Sequence, residues 1–239
     1  MTVKFLHSGD TALVVEFGRE VSRELNDRVL LLQAHLRAAK LAGVIETVPS
    51  FRSLLVHYDP LRTSAAALIR AIGGLLERDG ELARPSKLWH VPVCYEGGYA
   101  PDLTYVAEQT RLAPAEIVAL HSGTRYHIYM IGFVPGFPYM GDLPAPLRLP
   151  RRVDPRVRVP PGSVAMATEL TAIYPLESPG GWHLIGTTPI RLFDNAAQPP
   201  ALFAPGDSVR FEAINEKTFL HIRDDVKAGT YRVPCEILA

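Results

Sequence analysis

From Ile131 the chain reads IGFVPGFPYMGDLP (131–144), then PRVRVPPGS (155–163), then TAIYPLESPGGWHLIGTTP (171–189). Between Ile131 and Pro189 lie eleven of its 21 prolines and seven of its 18 glycines. Each proline fixes φ and removes a backbone donor, and each glycine permits positive φ or close backbone approach. Disordered tracts share this composition but are poor in large apolar residues. Here Phe133, Phe137, Tyr139, Ile173, Tyr174, Trp182 and Ile185 are interleaved with the breakers. The stretch is therefore expected to be an ordered series of short strands and rigid loops, and it is where the active surface is sought.

The 239 residues are 47% hydrophobic and 21% charged, an ordinary globular composition with length for one large or two small cores. A formal charge of zero points to neither nucleic acid nor an anionic membrane as partner. No apolar run approaches the ~20 residues that span a bilayer, and MTVKFLHSGDTALVVEF (1–17) lacks the charged and apolar regions of a secretory signal. A soluble, cytoplasmic protein is expected. Cys94 and Cys235 lack metal or redox spacing and are read as buried thiols at strand ends, with no metal site.

The first 85 residues alternate strand and helix patterns. Thr11 to Phe17 is β-rich, and Ser22 caps a helix carrying Leu25, Val29, Leu32, Leu36 and Ala39 at helical spacing, ending near Gly43. Strands are expected at Val44 to Pro49 and Ser53 to Tyr58, then a helix from Ser64 to Leu76, stopped near Gly80. With Leu88 to Val93 as a last strand, this is a split βαβ sandwich of ferredoxin-like type over residues 1–85. Asp79 to Ser86, polar and broken by Pro85, is the expected boundary. Residues 86–239 show helices at Asp102 to Gln109 and Pro114 to His121. Strands are expected at Tyr126 to Phe133, Ser163 to Ala167, Thr171 to Tyr174, His183 to Gly186, Ile190 to Phe193, Ser208 to Ala213 and Phe219 to Ile222. Many short strands with frequent turns favour closure, which removes unpaired edges. The fold class is therefore α+β in two domains, the second a β-barrel with two helices.

His121 and His183 are the candidates for proton transfer, because only histidine titrates near neutrality unaided. Taken alone, His121 reads first as a helix C-terminal cap and His183 as an exposed or hydrogen-bonded strand residue; His127, in an alternating strand, is structural. Arg148, Arg151, Arg152, Arg156 and Arg158 concentrate positive charge, and guanidinium binds carboxylate or phosphate bidentately. Arg156 and Arg158, two apart in an extended segment, face one side and line a site; the other three do not. Ser163 is a turn hydrogen-bonder or substrate contact, since Gly-Ser-Val is not a nucleophile elbow. Gly136 and Gly180-Gly181 are placed to present backbone amides to an anion. Phosphate-loop and dinucleotide fingerprints are absent.

GFVPGFPYMGDLP, PRVRVPPGSV, IYPLESPGGWHLIGTTP and FAPGDSVRFEAI, in that order, together resemble the KipI-like family, and the likeness extends to GDTALVVEF, VIETVPSFRSLLVHYDP, VPVCYEGGYAPDL and the HSG at 121–123. That family includes the B subunit of bacterial 5-oxoprolinase, also called allophanate hydrolase subunit 1 or a carboxyltransferase C/D domain. The resemblance implies a ferredoxin-like domain followed by a cyclophilin-like barrel. It further implies a KipA-like partner with a related barrel, a LamB/YcsF-like third subunit, and ATP-dependent opening of 5-oxo-L-proline to L-glutamate by the complex, with the site at or near the joined barrels. ATP is thus the implied cofactor. In other members the module serves urea carboxylation or inhibits a sensor histidine kinase; a small-molecule-binding barrel without turnover is a third alternative.

Residue by residue, the family motifs fall on His121, Tyr129, Gly132, Phe133, Pro135, Gly136, Phe137 and Tyr139, then on Pro155, Arg156, Arg158, Pro160, Gly162 and Ser163, then on Tyr174, Pro175, Ser178, Pro179, Gly180, Gly181, Trp182 and Gly186. The implied roles are a carboxylate or phosphate anchor at Arg156 or Arg158, a proton handled by His121, and aromatic walls and amides from the Pro-Gly loops. The chain departs from the family at Ala165 to Ala172, where glycines are lost and Leu170 stands for a glutamine, and at Thr187, which stands for an arginine. Substrate specificity is expected to differ there.

Overall fold

The computed structural model describes residues 3–78 and 85–238. The expected boundary at Asp79 to Ser86, and the helix stop near Gly80, lie largely outside them. By its contacts the chain divides into two compact units, Met1–Pro85 and Ser86–Ala239.

In the first unit β1 (Lys4–His7), β2 (Ala12–Glu16), α1 (Arg23–Ala39), β3 (Val44–Pro49), β4 (Ser53–Tyr58) and α2 (Ala65–Leu76) follow in order. Ser22 and Ser64 each accept the backbone N–H three residues on, from Leu25 and Ala67, so both helices begin at a capping hydroxyl. The first ends earlier than Gly43, with Lys40 left-handed at φ 45°. Leu25, Val29, Leu32 and Leu36 of α1 and Leu68, Ile72 and Leu75 of α2 cover Leu13, Val15, Leu54 and Val56 of the sheet. The sheet order is β1-β2-β4-β3, all antiparallel. This corrects one expectation: the strand beside β2 is supplied from the N-terminus by β1, and Leu88 to Val93 belongs to the second unit. A short segment joined by a tight turn pairs with β2 at little loop-closure cost, which leaves the longer apolar run free for the barrel.

The second unit is built from β5 (Lys87–Cys94), α3 (Leu103–Thr110), α4 (Pro114–Gly123), β6 (Arg125–Ile131), β7 (Pro138–Gly141), β8 (Arg156–Val159), β9 (Ser163–Ala167), β10 (Leu170–Ile173), β11 (Ser178–Gly180), β12 (His183–Thr187), β13 (Ser208–Ile214), α5 (Glu216–Ala228) and β14 (Cys235–Ile237). The order β12-β9-β10-β7-β6-β13-β5 closes on itself through the Thr187–Cys94 pairing, a seven-stranded barrel, with β14 added to the start of β5. All seven strands send side chains to one shared core, among them Val91, Phe211, Ile128, Met140, Ile173, Met166 and Ile185, with Val106 of α3 and Ile117 of α4 joining it. That shared face is the barrel interior. By alternation, Tyr139, Ala165, Ala167, Ala172 and Leu184 face outward, and there they meet Phe137, Val159, Tyr174 and Trp182 in a second apolar cluster. The β8–β11 pair forms its own two-stranded sheet.

Two expected strands are not strands. Phe219 to Ile222 lies within α5: the Asn215 side chain accepts the Thr218 N–H, Gly229 ends the helix left-handed at φ 75°, and Phe219 packs on Tyr99 at 4.5 Å. The described residues of the barrel unit therefore carry three α-helices rather than two. Ile190 to Phe193 is a loop after Pro189, making only a bridge from Phe193 to Ala201, although Ile190 and Leu192 reach the barrel core. Cys94 is buried at the end of β5 as expected, whereas Cys235 is exposed at the start of β14.

Candidate functional site

His121 is wholly buried. It stacks on Phe211 of β13 at 4.6 Å. Its Nδ1 lies 2.8 Å from the Tyr95 hydroxyl and its Nε2 3.0 Å from Thr171 Oγ1. Thr171 donates its own proton to the Ala165 carbonyl at 3.0 Å, so it accepts from His121 Nε2–H, and Tyr95 O–H donates to Nδ1. The neutral tautomer is thereby set, and burial pushes the imidazole pKa down to about 3. His121 is an internal strut joining α4 to β10, out of contact with solvent, and neither ends its helix nor handles a substrate proton in this conformation.

The arginines separate differently from the sequence expectation. Asp102, buried just before α3, accepts from Arg156 Nη2 at 2.6 Å and from Arg152 Nη1 at 3.3 Å through one oxygen; its other oxygen accepts the Leu184 N–H at 2.7 Å. Two guanidinium groups share one carboxylate, so the cluster keeps a surplus of positive charge beside the barrel wall. Arg158 points elsewhere, mostly exposed, 3.7 Å from Glu177; it does not share a site with Arg156. Arg152, expected to be outside, is inside. Asp102 could be read as a helix start, but its side chain makes no cap bond, and sequence carries no signal for its distant arginine partners.

Most aromatic candidates do gather. Phe137 lies 4.9 Å from Tyr139, 5.1 Å from Tyr174 and 6.2 Å from Trp182, and Arg151 stands over the Trp182 ring at 5.9 Å. Ala165, Ala167 and Ala172 make the flat floor that lets these rings lie against the barrel. Burial holds the Tyr174 hydroxyl protonated, its pKa pushed up to about 12. Phe133, at φ 70°, is exposed at the rim and meets Phe137 edge-on at 5.6 Å, with Pro135 in the same exposed turn. Gly136 takes φ 79°, where its backbone lies under Phe193. Tyr129 stands apart, against His127 and Gly141. Ser163 donates to the Pro160 carbonyl at 2.8 Å, the turn role. Gly181 accepts the Arg152 N–H through its carbonyl at 2.8 Å, holding the arginine loop to β11.

Gly180 has no room for a side chain: a Cβ there would overlap the Tyr174 hydroxyl and stand 2.8 Å from Cζ. Gly180→Ala is expected to lower unfolding stability by about 2 kcal/mol in urea titration, by forcing the Tyr174 ring off its seat. Of the departures from the family pattern, Leu170 packs on the outer aromatic cluster, Thr171 completes the His121 chain, and Thr187 donates to the Tyr99 carbonyl at 2.7 Å. Each is satisfied locally.

Three buried side-chain atoms among the described residues have no hydrogen-bond partner: Arg156 Nη1, Ser178 Oγ and His183 Nδ1. Such atoms are uncommon in native structures. All three belong to β8, β11 and β12, strands that carry the Pro/Gly-rich motifs. The described residues contain no cluster of three or more His, Cys, Asp or Glu placed to hold a metal ion. No helix among them is long and apolar enough to cross a membrane.

A barrel closed in this order, with Arg152 and Arg156 held on Asp102 beside its wall, has a carboxyltransferase-like fold. The chain belongs to the family described as "Carboxyltransferase domain, subdomain C and D", the KipI-like family, whose model matches residues 3–203. It is 36% identical to the B subunit of 5-oxoprolinase from Bacillus subtilis (strain 168) over 235 residues, covering 92% of this chain and 97% of that protein. The crystal structure of TTHA0988 matches with a TM-score of 0.77 and 40% identity, over 85% of this chain and 40% of that longer one. The K. lactis urea amidolyase matches in fold, with a TM-score of 0.81 at 19% identity, over 98% of this chain and 16% of that chain.

Proposed function

We propose that this chain is the B-type subunit of a 5-oxoprolinase complex, which uses ATP to open 5-oxo-L-proline to L-glutamate together with a KipA-like and a LamB/YcsF-like subunit in the cytoplasm. The first unit is its ferredoxin-like domain (1–85) and the barrel (86–239) its cyclophilin-like domain. The observation that carries this is identity over nearly the full length of both chains with a protein named as the B subunit of 5-oxoprolinase. Alignment over less than half of TTHA0988 and a sixth of the urea amidolyase supports a module that works alongside further domains.

The site is the outer face around β8, β11 and β12. Arg156 is its anion anchor: Asp102 holds Nη2, and Nη1 has no hydrogen-bond partner among the described residues. Trp182, Tyr174 and Phe137 are buried and form the packed apolar layer beneath this face, with Arg151 over the Trp182 ring. A small cyclic amide with one carboxylate would place its charge on the Arg156 guanidinium. ATP is used by the assembled complex.

Co-purification with the KipA-like and LamB/YcsF-like subunits, followed by assay of ATP-dependent glutamate release from 5-oxoproline, tests this directly. Turnover requiring this chain is the expected result; none with any combination of subunits refutes it. Within an active complex, Arg156→Ala is expected to raise KM about 10- to 100-fold, the worth of a charge-assisted hydrogen bond. An unchanged KM would remove Arg156 from the site.

A further inference from the structure

We propose that the Ser178 and Tyr174 hydroxyls are further binding groups of this site, completing with Arg156 a set of donors for one carboxylate beneath the β8–β11 ribbon. That the carboxylate belongs to 5-oxoproline rests on the 5-oxoprolinase assignment; the placement of the donors does not.

The register of the ribbon brings the three groups together. Ser178 pairs with Val159 and Gly180 with Arg156, so Pro179 alone stands opposite Val157 and Arg158. Two residues facing one make a bulge, and a bulge re-aims side chains. Val157, 84% exposed, and Arg158, mostly in water, both turn outward. Val159 instead enters the outer apolar cluster and Arg156 reaches Asp102. Residues directly opposite share a face of the ribbon, as do residues two apart on the unbulged strand. Ser178, Gly180, Arg156 and Val159 therefore all face the barrel wall. On that face Ser178 and Arg156 are diagonal neighbours, about 7 Å apart at the backbone.

Gly180, lying opposite Arg156 and two residues from Ser178, has no side chain, and the Tyr174 hydroxyl takes its place: a Cβ on Gly180 would overlap that oxygen. All three groups offer protons. Arg156 Nη1 can only donate and has no hydrogen-bond partner, and Ser178 Oγ is buried with none, in a residue 6% exposed. Burial keeps the Tyr174 hydroxyl protonated against the opposing pull of the Arg151 and Arg156 charges. Arg152 and Arg156 share Asp102, which leaves a surplus of positive charge beside these donors. A carboxylate, with two oxygens that only accept, answers such a set; a cation would leave the donors unmet.

The ribbon is also the cover. Its strand ladder joins β8 and β11 only to each other. It can therefore lift to admit a ligand without unzipping a barrel strand pair, and closing it returns Ser178 and Arg156 to the wall.

Ser178→Ala and Tyr174→Phe test the donors, because each removes a hydroxyl and keeps the rest of the side chain's packing. Calorimetry with 5-oxoproline on the co-purified complex is expected to show a Kd about tenfold higher in each variant. The urea midpoint of the Ser178→Ala chain should not fall, since its hydroxyl has no partner to lose. An unchanged Kd overturns the role of that hydroxyl, and a Ser178→Ala chain that loses stability shows Ser178 to be a structural strut. If the wild-type complex binds no 5-oxoproline, the 5-oxoprolinase assignment falls. Titration of the chain with acetate, followed by NMR, then decides the donor set: acetate binding that Ser178→Ala weakens sustains it, and no acetate binding, or binding that both variants retain, overturns it.

Discussion

Lowering the pH from 6.5 to 3 is expected to destabilise the folded chain by about 5 kcal/mol through His121 alone. The imidazole has an ordinary pKa of 6.5 when unfolded and about 3 when buried. Above 6.5 it is neutral in both states and contributes no pH dependence. Between 6.5 and 3 the unfolded chain binds a proton that the folded chain refuses. Unfolding becomes easier by about 1.4 kcal/mol per unit across that window and levels off below it. Carboxylates also titrate there, so the decisive quantity is a difference. Urea unfolding of the wild type and of His121→Gln, followed from pH 7 to pH 4, should show a shallower acid slope in the variant. Equal slopes would mean that His121 is protonated in the folded barrel. The variant should also be less stable at pH 7, because Tyr95 and Thr171 then face a side chain that fits their geometry less well.

Asp102→Ala is the second large effect, a loss of about 3 kcal/mol with collapse of activity in the complex. The carboxylate is buried, whereas Arg152 and Arg156 keep roughly a quarter of their side chains in water. The arginines therefore recover some hydration, and the loss sits at the lower end of that for breaking a buried ion pair. The Leu184 N–H recovers none, being left without its acceptor inside the wall. Asp102→Asn retains one acceptor for Leu184 and should fall between Ala and the wild type in thermal unfolding. A fully stable Asp102→Ala protein would show that the arginines find other partners, and would weaken the case for Arg156 as a held anchor.

How far the fold is legible in the sequence differs strand by strand. Val44–Pro49, Ser53–Tyr58 and Ser163–Ala167 have the same ends in pattern and in structure, because alternating or continuous apolar runs there are bounded by strong turn formers. Phe219 to Ile222 misleads because a four-residue segment with three apolar residues fits a strand period and a helix period alike; the Asn215 cap and Gly229 stop are the signals that settle it. The strands β7, β8 and β11 hold only three or four residues each, two of them containing proline, and give no periodicity to read. In the site, Arg156 and the aromatic residues are identifiable from their motifs, while the pattern puts His121 at a helix end and does not show that its ring is sealed inside the barrel unit.

The order of elements, the caps, the aromatic motifs and the family are properties of local pattern, and the chain carries them in its residues. Tertiary structure alone decided which strand completes the first sheet, that His121 is sealed inside the barrel, and that Asp102 draws in Arg152 and Arg156 but not Arg158. The first is a choice between competing strands, and the other two depend on burial and on partners 26 to 54 residues away in sequence, none of which is encoded in spacing. The Pro/Gly-rich stretch from Ile131 shows both sides: its breakers foretell short strands and loops, and only the tertiary structure decides that β8 and β11 pair with each other outside the barrel while β12 joins its wall.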